Sequence, residues 1–190
     1  MHFRQPVFPF VFLLCIASGS SLVHGGLMLG LDSGTTDLTT LAVGDSFTID
    51  VSLSGLGDPG EPSQLSDLVG TVVIPSEFSV DPASLAGGIA PLGIIPGDFF
   101  FLDIIGGNVD GQFLALFDNI SANGLFYSFE LTAIAAGTGS IGFDPFSPTA
   151  LDENFFPVTV GENSLPYSVS AGNSNVVPEP STLVCFAAMK

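Results

Sequence analysis

Apart from carboxylates, the side chains that could supply thiol, imidazole or cationic chemistry lie near the two ends of the chain. They are His2, Arg4, Cys15, His24, Cys185 and Lys190. Residues 26–184 therefore contain no Lys, Arg, His or Cys. A nucleophile activated by His and a zinc site built from His and Cys both need residue types that this segment lacks. The central part of the chain cannot form either kind of site.

The charge balance excludes ligands that are recognised by their phosphates. Nineteen Asp and Glu residues against two basic residues give a formal net charge of −17 at pH 7. Nucleic-acid binding depends on Lys and Arg contacts to phosphates, and nucleotide-binding glycine loops of the P-loop type need a Lys. We therefore expect no nucleic-acid partner and no cofactor.

Carboxylates remain as a source of chemistry. A pair of them could hydrolyse a glycoside, but Asp152-Glu153 and the other turn aspartates are more simply explained as solubilising, turn-forming residues. Residues 106–111 supply Asn108 and Asp110, whose oxygens suit a calcium ion. This segment does not complete the Asp-x-Asn-x-Asp-Gly spacing and lacks a closing Glu, so a hairpin turn is favoured. We assign no catalytic residue and no metal ligand, and expect a protein that is not an enzyme.

Residues 26–176 are predicted to form one all-β domain that positions these side chains. Segments 47–53 and 125–132 alternate apolar and polar residues at period two, as in strands with one buried face. The 23 Gly and 14 Pro residues leave no room for long helices. About nine short strands predict a β-sandwich, with a single helical turn at residues 82–86. The shorter strand candidates are residues 38–43, 68–74, 99–105, 113–117, 139–143, 158–160 and 167–170.

The same alternation assigns the side chains that fill the space between two sheets. The predicted core comprises Phe47, Ile49, Val51, Val72, Ile74, Leu125, Tyr127, Phe129, Leu131 and Ile141. The phenylalanine runs at residues 99–101 and 155–156 put aromatic rings on both faces of a strand, because successive side chains point in opposite directions. We expect most of these rings in the core and one from each run at a surface, where it marks a contact patch.

Residues 1–25 have the three-part layout of a secretory signal peptide. A positive charge at Arg4 precedes a nearly unbroken apolar run over residues 7–16, and small residues follow up to Gly25. We expect export with cleavage near Gly25. A lipid anchor on Cys15 is disfavoured because the residue before it is not small. The exported body then has no disulfide, and its core alone must stabilise it.

Five segments of the body contain turn and strand motifs in a characteristic order. They include a Val-Gly-Asp turn between two strands, an Asp-Pro-x-x-Leu corner, and a long strand followed by a Gly turn and a further strand. These segments are residues 41–51, 65–74, 80–85, 124–133 and 136–141. Over about residues 32–172, their order and spacing resemble bacterial cohesin domains. Two departures are an acidic, Pro-rich insertion at residues 57–64 and a Gly- and Pro-rich stretch at residues 89–98.

The C-terminal segment carries a second resemblance, to the head of the PEP-CTERM sorting signal. The residues that carry it are Val177, Pro178, Glu179 and Pro180. Such a tail normally continues with a transmembrane helix and an Arg-rich end, and an exosortase is thought to process it. Here residues 183–189 are too few to span a membrane, which argues against anchoring and exosortase processing. The resemblance implies a truncated sorting tail at residues 177–190 of a protein from a Gram-negative-type bacterium; a stiff linker is the alternative.

The cohesin resemblance implies a jelly-roll β-sandwich that has no chemistry of its own and binds a protein partner through one sheet face. The expected partner is an extracellular protein, dockerin-like or other, at the cell surface or in the extracellular matrix. The alternative is a carbohydrate-binding module, because cohesins resemble those modules in fold. Sugar platforms rely on exposed Trp and Tyr, and this chain has no Trp and only Tyr127 and Tyr167. The protein-binding hypothesis is therefore favoured.

Overall fold

The computed structural model describes residues 26–87, 99–116 and 118–172. The predicted signal peptide and the predicted sorting tail, including Val177, Pro178, Glu179 and Pro180, lie outside the described residues. So does Phe117, the last residue of the predicted strand 113–117.

The described part of the chain contains fourteen strands, and nine of them have four residues or more. Among the described residues the helical elements are two single 3-10 turns, at Leu38–Thr40 and Pro82–Ser84. The predicted all-β fold of about nine strands is confirmed, as is the helical turn after Asp81. In chain order the strands are β1 (Met28–Asp32), β2 (Leu41–Ala42), β3 (Ser46–Ser54), β4 (Leu65–Val73), β5 (Phe78–Val80), β6 (Ala86–Gly87), β7 (Phe99–Ile105), β8 (Asn108–Leu114), β9 (Gly124–Ala133), β10 (Gly137–Phe143), β11 (Thr149–Asp152), β12 (Pro157–Val158), β13 (Gly161–Glu162) and β14 (Leu165–Ser170).

The strands form two sheets that pack into a sandwich. The smaller sheet has six strands in the order β13-β1-β3-β9-β5, with β6 also paired to β9. In the larger, eight-stranded sheet, β4 pairs with β8 along one edge and with both β10 and β11 along the other. Strand β7 extends this sheet beyond β8. Strands β7, β8, β4 and β11 are therefore consecutive neighbours.

The core lies between the sheets and closely matches the predicted one. Eight of the ten predicted core residues are buried, and Ile74 is half-buried against the core. The exception is Leu125, which is half-buried outside it. In the pairing of β3 with β9, Val51 faces Tyr127 and Ser52 faces Leu125, so Phe126 is the extra residue of a β-bulge. Because a bulge shifts the alternation by one position, Phe126 turns inward and is fully buried.

Three predicted strands differ from the observed elements, and the shortest of them, residues 158–160, overlaps only the end of β12 at Pro157–Val158. Residues 38–43 form a 3-10 turn followed by the two-residue β2, because the Asp37 carboxylate accepts hydrogen bonds from the Thr39 backbone N–H (2.9 Å) and hydroxyl (2.6 Å). This cap competes with extended backbone. The predicted strand 113–117 is displaced: β8 begins at Asn108 and ends at Leu114.

Candidate binding face

The outer surfaces of the two sheets differ sharply in chemistry. On the smaller sheet, the outward side chains of β3 and β9 are almost all polar, and two of them, Ser46 and Thr132, hydrogen-bond to each other through their hydroxyls at 2.7 Å. The outward polar residues are Ser46, Thr48, Asp50, Ser52, Ser54, Ser128, Glu130 and Thr132. We call this surface the polar face. It has the composition expected of a surface that stays in water.

The outer surface of the larger sheet carries mostly apolar side chains in two adjacent rows that cross four neighbouring strands. Strand pairing places Phe99, Leu114, Asp67 and Leu151 side by side in one row across β7, β8, β4 and β11. A second row consists of Phe101, Gln112, Val69 and Thr149. We call these two rows the apolar face. With strands about 4.8 Å apart, each row spans roughly 14 Å.

Asp67 is the one ionisable side chain in these two rows. Its cross-strand neighbours are Leu114 on one side and Leu151 on the other. Burial disfavours the charged form and raises the pKa of the Asp67 carboxyl. Within the part of the chain that the structure describes, no hydrogen-bond donor reaches this carboxylate. Asp67 is thus a half-buried carboxylate that accepts no hydrogen bond from residues 26–87, 99–116 and 118–172.

The loop after β11 presents two phenylalanine rings beside the apolar face. Asp152 organises the loop, since one carboxylate oxygen accepts hydrogen bonds from the backbone N–H groups of Asn154 and Phe156, both at 2.8 Å. Phe155 adopts a left-handed backbone conformation with φ of 63°, which is unfavourable for an aromatic residue. Phe155 and Phe156 nevertheless remain 64% and 66% exposed. Backbone strain at Phe155 and two exposed aromatic rings thus occur together in this loop.

The loop before β11 exposes a third phenylalanine ring, and an aspartate carboxylate organises this loop as well. The Asp144 carboxylate accepts a 2.9 Å hydrogen bond from the backbone N–H of Phe146, whose side chain is 89% exposed. The next residue, Ser147, is buried, and its hydroxyl accepts a 2.8 Å hydrogen bond from the backbone N–H of Thr71 in β4. Exposed rings thus lie at both ends of β11, on loops that are anchored by hydrogen bonds.

The candidate calcium segment is a hairpin. Gly106 and Gly107 have φ angles of 61° and 89° and join β7 to β8 in a two-residue turn, which requires positive φ at both positions. Asp103 and Asp110 are cross-strand neighbours on the outer surface, and Asp110 accepts a 2.6 Å hydrogen bond from the Thr71 hydroxyl. In residues 26–87, 99–116 and 118–172, no group of three or more His, Cys, Asp or Glu side chains is arranged to hold a metal ion. The favoured hairpin interpretation is confirmed.

The other residues considered from the sequence stabilise the fold or are exposed without a binding arrangement. Asp152 caps its loop, as described above, and Glu153 is exposed beside it. Both tyrosines are buried: the Tyr127 hydroxyl donates to the Gly70 carbonyl at 2.7 Å, and the Tyr167 hydroxyl donates to the Glu77 carboxylate at 3.0 Å. Neither ring is available at the surface for stacking against a sugar.

The phenylalanine runs divide between core and surface. In β7, Phe100 packs edge-on against Phe126 inside the sandwich, whereas Phe99 is 50% exposed on the apolar face. The expectation that most of these rings lie in the core is wrong: of the five, Phe100 packs between the sheets, whereas Phe99, Phe101, Phe155 and Phe156 lie at the surface. Sequence reasoning did not single out Asp67. The period-two pattern of β4 places it on the outward side, but its leucine neighbours come from strands far away in the chain.

No protein-family model matches the sequence, and no curated protein matches it either. The fold is similar to solved cohesin structures. One is a non-cellulosomal cohesin from Archaeoglobus fulgidus, with a TM-score of 0.56 and 10% identity over 76% of this chain and 91% of that chain. A second is the OlpA cohesin from Clostridium thermocellum, solved as a cohesin–dockerin complex, with a TM-score of 0.54 and 15% identity over 76% and 98%. A third is the sixth cohesin of scaffoldin B from Acetivibrio cellulolyticus, also solved with a dockerin, with a TM-score of 0.51 and 21% identity over 76% and 99%. These similarities confirm the predicted cohesin-like sandwich. Among the described residues there is no helix of sufficient length and apolar character to cross a membrane.

Proposed function

We propose that this chain is an exported, non-catalytic module that binds an extracellular protein through the apolar face. The observation that carries this proposal is the contrast between the two outer surfaces of one sandwich. The polar face is well hydrated by water. Exposed phenylalanines grouped on and beside the apolar face are hydrated unfavourably, and a partner that covers them removes this unfavourable free energy. Aromatic residues are also the type most enriched in the energetically important centres of protein interfaces.

The dimensions of the apolar face fit one element of a partner protein. A row of roughly 14 Å is wide enough for one α-helix, whose diameter with side chains is about 10–12 Å. Two of the structural neighbours are cohesins solved in complexes with dockerins. That likeness supports a dockerin-type partner for this chain, since the fold is shared even though the identity is low.

A carbohydrate-binding role is the alternative, and it has less support. Both tyrosines are buried and the chain contains no Trp, so a sugar platform would have to rely on phenylalanine rings. Export by the leader at residues 1–25 and a location at the cell surface or in the extracellular matrix belong to the same proposal. They rest on the sequence alone and are consistent with a partner outside the cell.

Capture experiments test the proposal. The chain, immobilised by a tag, is exposed separately to the secreted proteins and to the exopolysaccharide of its source organism. We expect a protein to be retained by the wild type and lost with Phe101→Ser, while Thr48→Ala on the polar face leaves retention unchanged. Circular dichroism and thermal unfolding verify that both variants fold. Retention of the polysaccharide alone would favour the alternative, and equal retention by all three chains would place the contact elsewhere.

A further inference from the structure

We infer that the partner inserts an Arg or Lys side chain between the leucines of the apolar face and pairs it with the carboxylate of Asp67. The inference rests on the proposed function and adds the chemistry of the partner. In the row Phe99, Leu114, Asp67 and Leu151, a single charge lies among apolar neighbours.

A partner that covers the apolar face removes water from Asp67. An ionised carboxylate that loses water without gaining a partner is strongly unfavourable. Asp67 receives no hydrogen bond within the described residues, in contrast to Asp110, which accepts one from Thr71. A purely apolar partner would therefore either bury an uncompensated charge or force Asp67 to take up a proton, whereas a partner that brings a cation stabilises the ionised carboxylate.

A second copy of this chain does not fit as the occupant of the apolar face. Residues 26–184 contain no Lys, Arg or His. Two copies joined through their apolar faces would bury two carboxylates and supply no cation to either. Their net charges of −17 would add a long-range repulsion. The occupant is therefore a different protein.

An organic cation and a metal ion need different surroundings at Asp67. Calcium needs six to eight oxygen ligands, and the cross-strand neighbours of Asp67 are the apolar side chains of Leu114 and Leu151. An Arg or Lys side chain fits these surroundings better. Its aliphatic stem packs against leucine while its charged end reaches the carboxylate, and a guanidinium can also stack on the nearby rings of Phe99 or Phe101.

A selection from a random peptide display library tests this inference, with the whole mature chain as the immobilised target. Three targets are compared: wild type, Asp67→Asn and Asp50→Asn. Asp50 is outward on the polar face and half-buried, so its substitution removes one negative charge at a matched position. Peptides are retained for comparison only if Phe101→Ser abolishes their binding, which restricts the comparison to the apolar face.

We expect the wild type and Asp50→Asn to select peptides with an Arg or Lys flanked by apolar residues. Asp67→Asn is expected to select apolar peptides without that basic residue. A peptide selected by the wild type should bind Asp67→Asn about tenfold or more weakly and Asp50→Asn within about twofold. Thermal unfolding checks that Asp67→Asn folds, as expected for a change that removes a poorly solvated charge.

The outcomes separate this inference from the proposed function. Basic peptides that bind Asp67→Asn as well as wild type would overturn the inference, because their attraction would then come from the overall negative charge. Selection of apolar peptides without a basic residue by all three targets would also overturn it, yet would leave the apolar face as a binding surface. If the selection yields no peptide whose binding depends on Phe101, that result contradicts the proposed function itself.

Discussion

The hydroxyl of Tyr127, on β9 of the smaller sheet, donates a 2.7 Å hydrogen bond to the backbone carbonyl of Gly70, on β4 of the larger sheet. The bond crosses the inside of the sandwich and is fully buried. Gly70 lies between Val69, on the apolar face, and Thr71. Tyr127 therefore stabilises, from inside the sandwich, strand β4 of the apolar face.

Replacing Tyr127 with Phe should lower the free energy of unfolding by about 1–3 kcal/mol, because the substitution leaves a buried carbonyl without one of its donors. Chemical denaturation measures the change. Tyr167→Phe is the matched control: its hydroxyl bonds to the Glu77 carboxylate in partly buried surroundings, so the loss should be smaller. An equal effect of the two substitutions would contradict a special role for the inter-sheet bond.

Gly111→Ala should destabilise the fold by about 1–3 kcal/mol through overpacking. Gly111 is the cross-strand partner of Gly70, and an added methyl group at position 111 would overlap the Tyr127 ring. Gly142→Ala is the control, because its methyl group would meet Ser164 at an ordinary 3.5 Å. Thermal unfolding of both variants checks the prediction, which fails if Gly111→Ala is no less stable than Gly142→Ala.

Stability should fall in alkaline solution as the tyrosines ionise. Burial, the hydrogen bond to Glu77 and the charge of Glu77 raise the pKa of Tyr167 from 10.0 to about 12. Burial, together with the charge of Asp110, raises the pKa of Tyr127 as well. Because both folded pKa values lie above the unfolded one, the unfolded chain releases phenolic protons first. The stabilisation is complete below pH 10 and is lost as the pH rises through about 12.

The chain has no Trp and only these two tyrosines, so near-ultraviolet absorbance reports their ionisation directly. We expect phenolate absorbance to appear together with the loss of near-ultraviolet circular dichroism. Tyr167→Phe should move the onset of unfolding to higher pH. Full ionisation near pH 10 in a chain that stays folded would show that the rings are not buried.

Phe155→Gly should raise stability and weaken binding at once. Glycine adopts the observed φ of 63° without strain, so the free energy of unfolding should rise by about 0.5–1 kcal/mol. The same change removes an exposed ring beside the apolar face. Phe156→Gly, a neighbouring position without positive φ, should weaken binding with no gain in stability. Stability and binding that change in the same direction for Phe155→Gly would argue against a contact role for this loop.

The sequence predicted features that depend on near neighbours in the chain. The alternation in β3, the bounds of β7 and the Gly106-Gly107 hairpin all follow from local pattern and turn chemistry. The bulge at Phe126 was missed, because it depends on how β9 registers against β3. Strands β1 and β11 were missed because short segments have weak periodicity. The setting of Asp67 was missed for a related reason: what surrounds it is decided by pairing between distant strands.

Hydroxyl-radical footprinting of the chain, free and bound to its captured protein partner, tests the central claim most directly. Phe99, Phe155 and Phe156 are exposed on or beside the apolar face, and Met28 lies on the outer surface of the smaller sheet as an internal reference. We predict that complex formation reduces oxidation of the three phenylalanines severalfold and leaves Met28 unchanged. Protection of Met28 with undiminished oxidation of the phenylalanines would contradict binding through the apolar face.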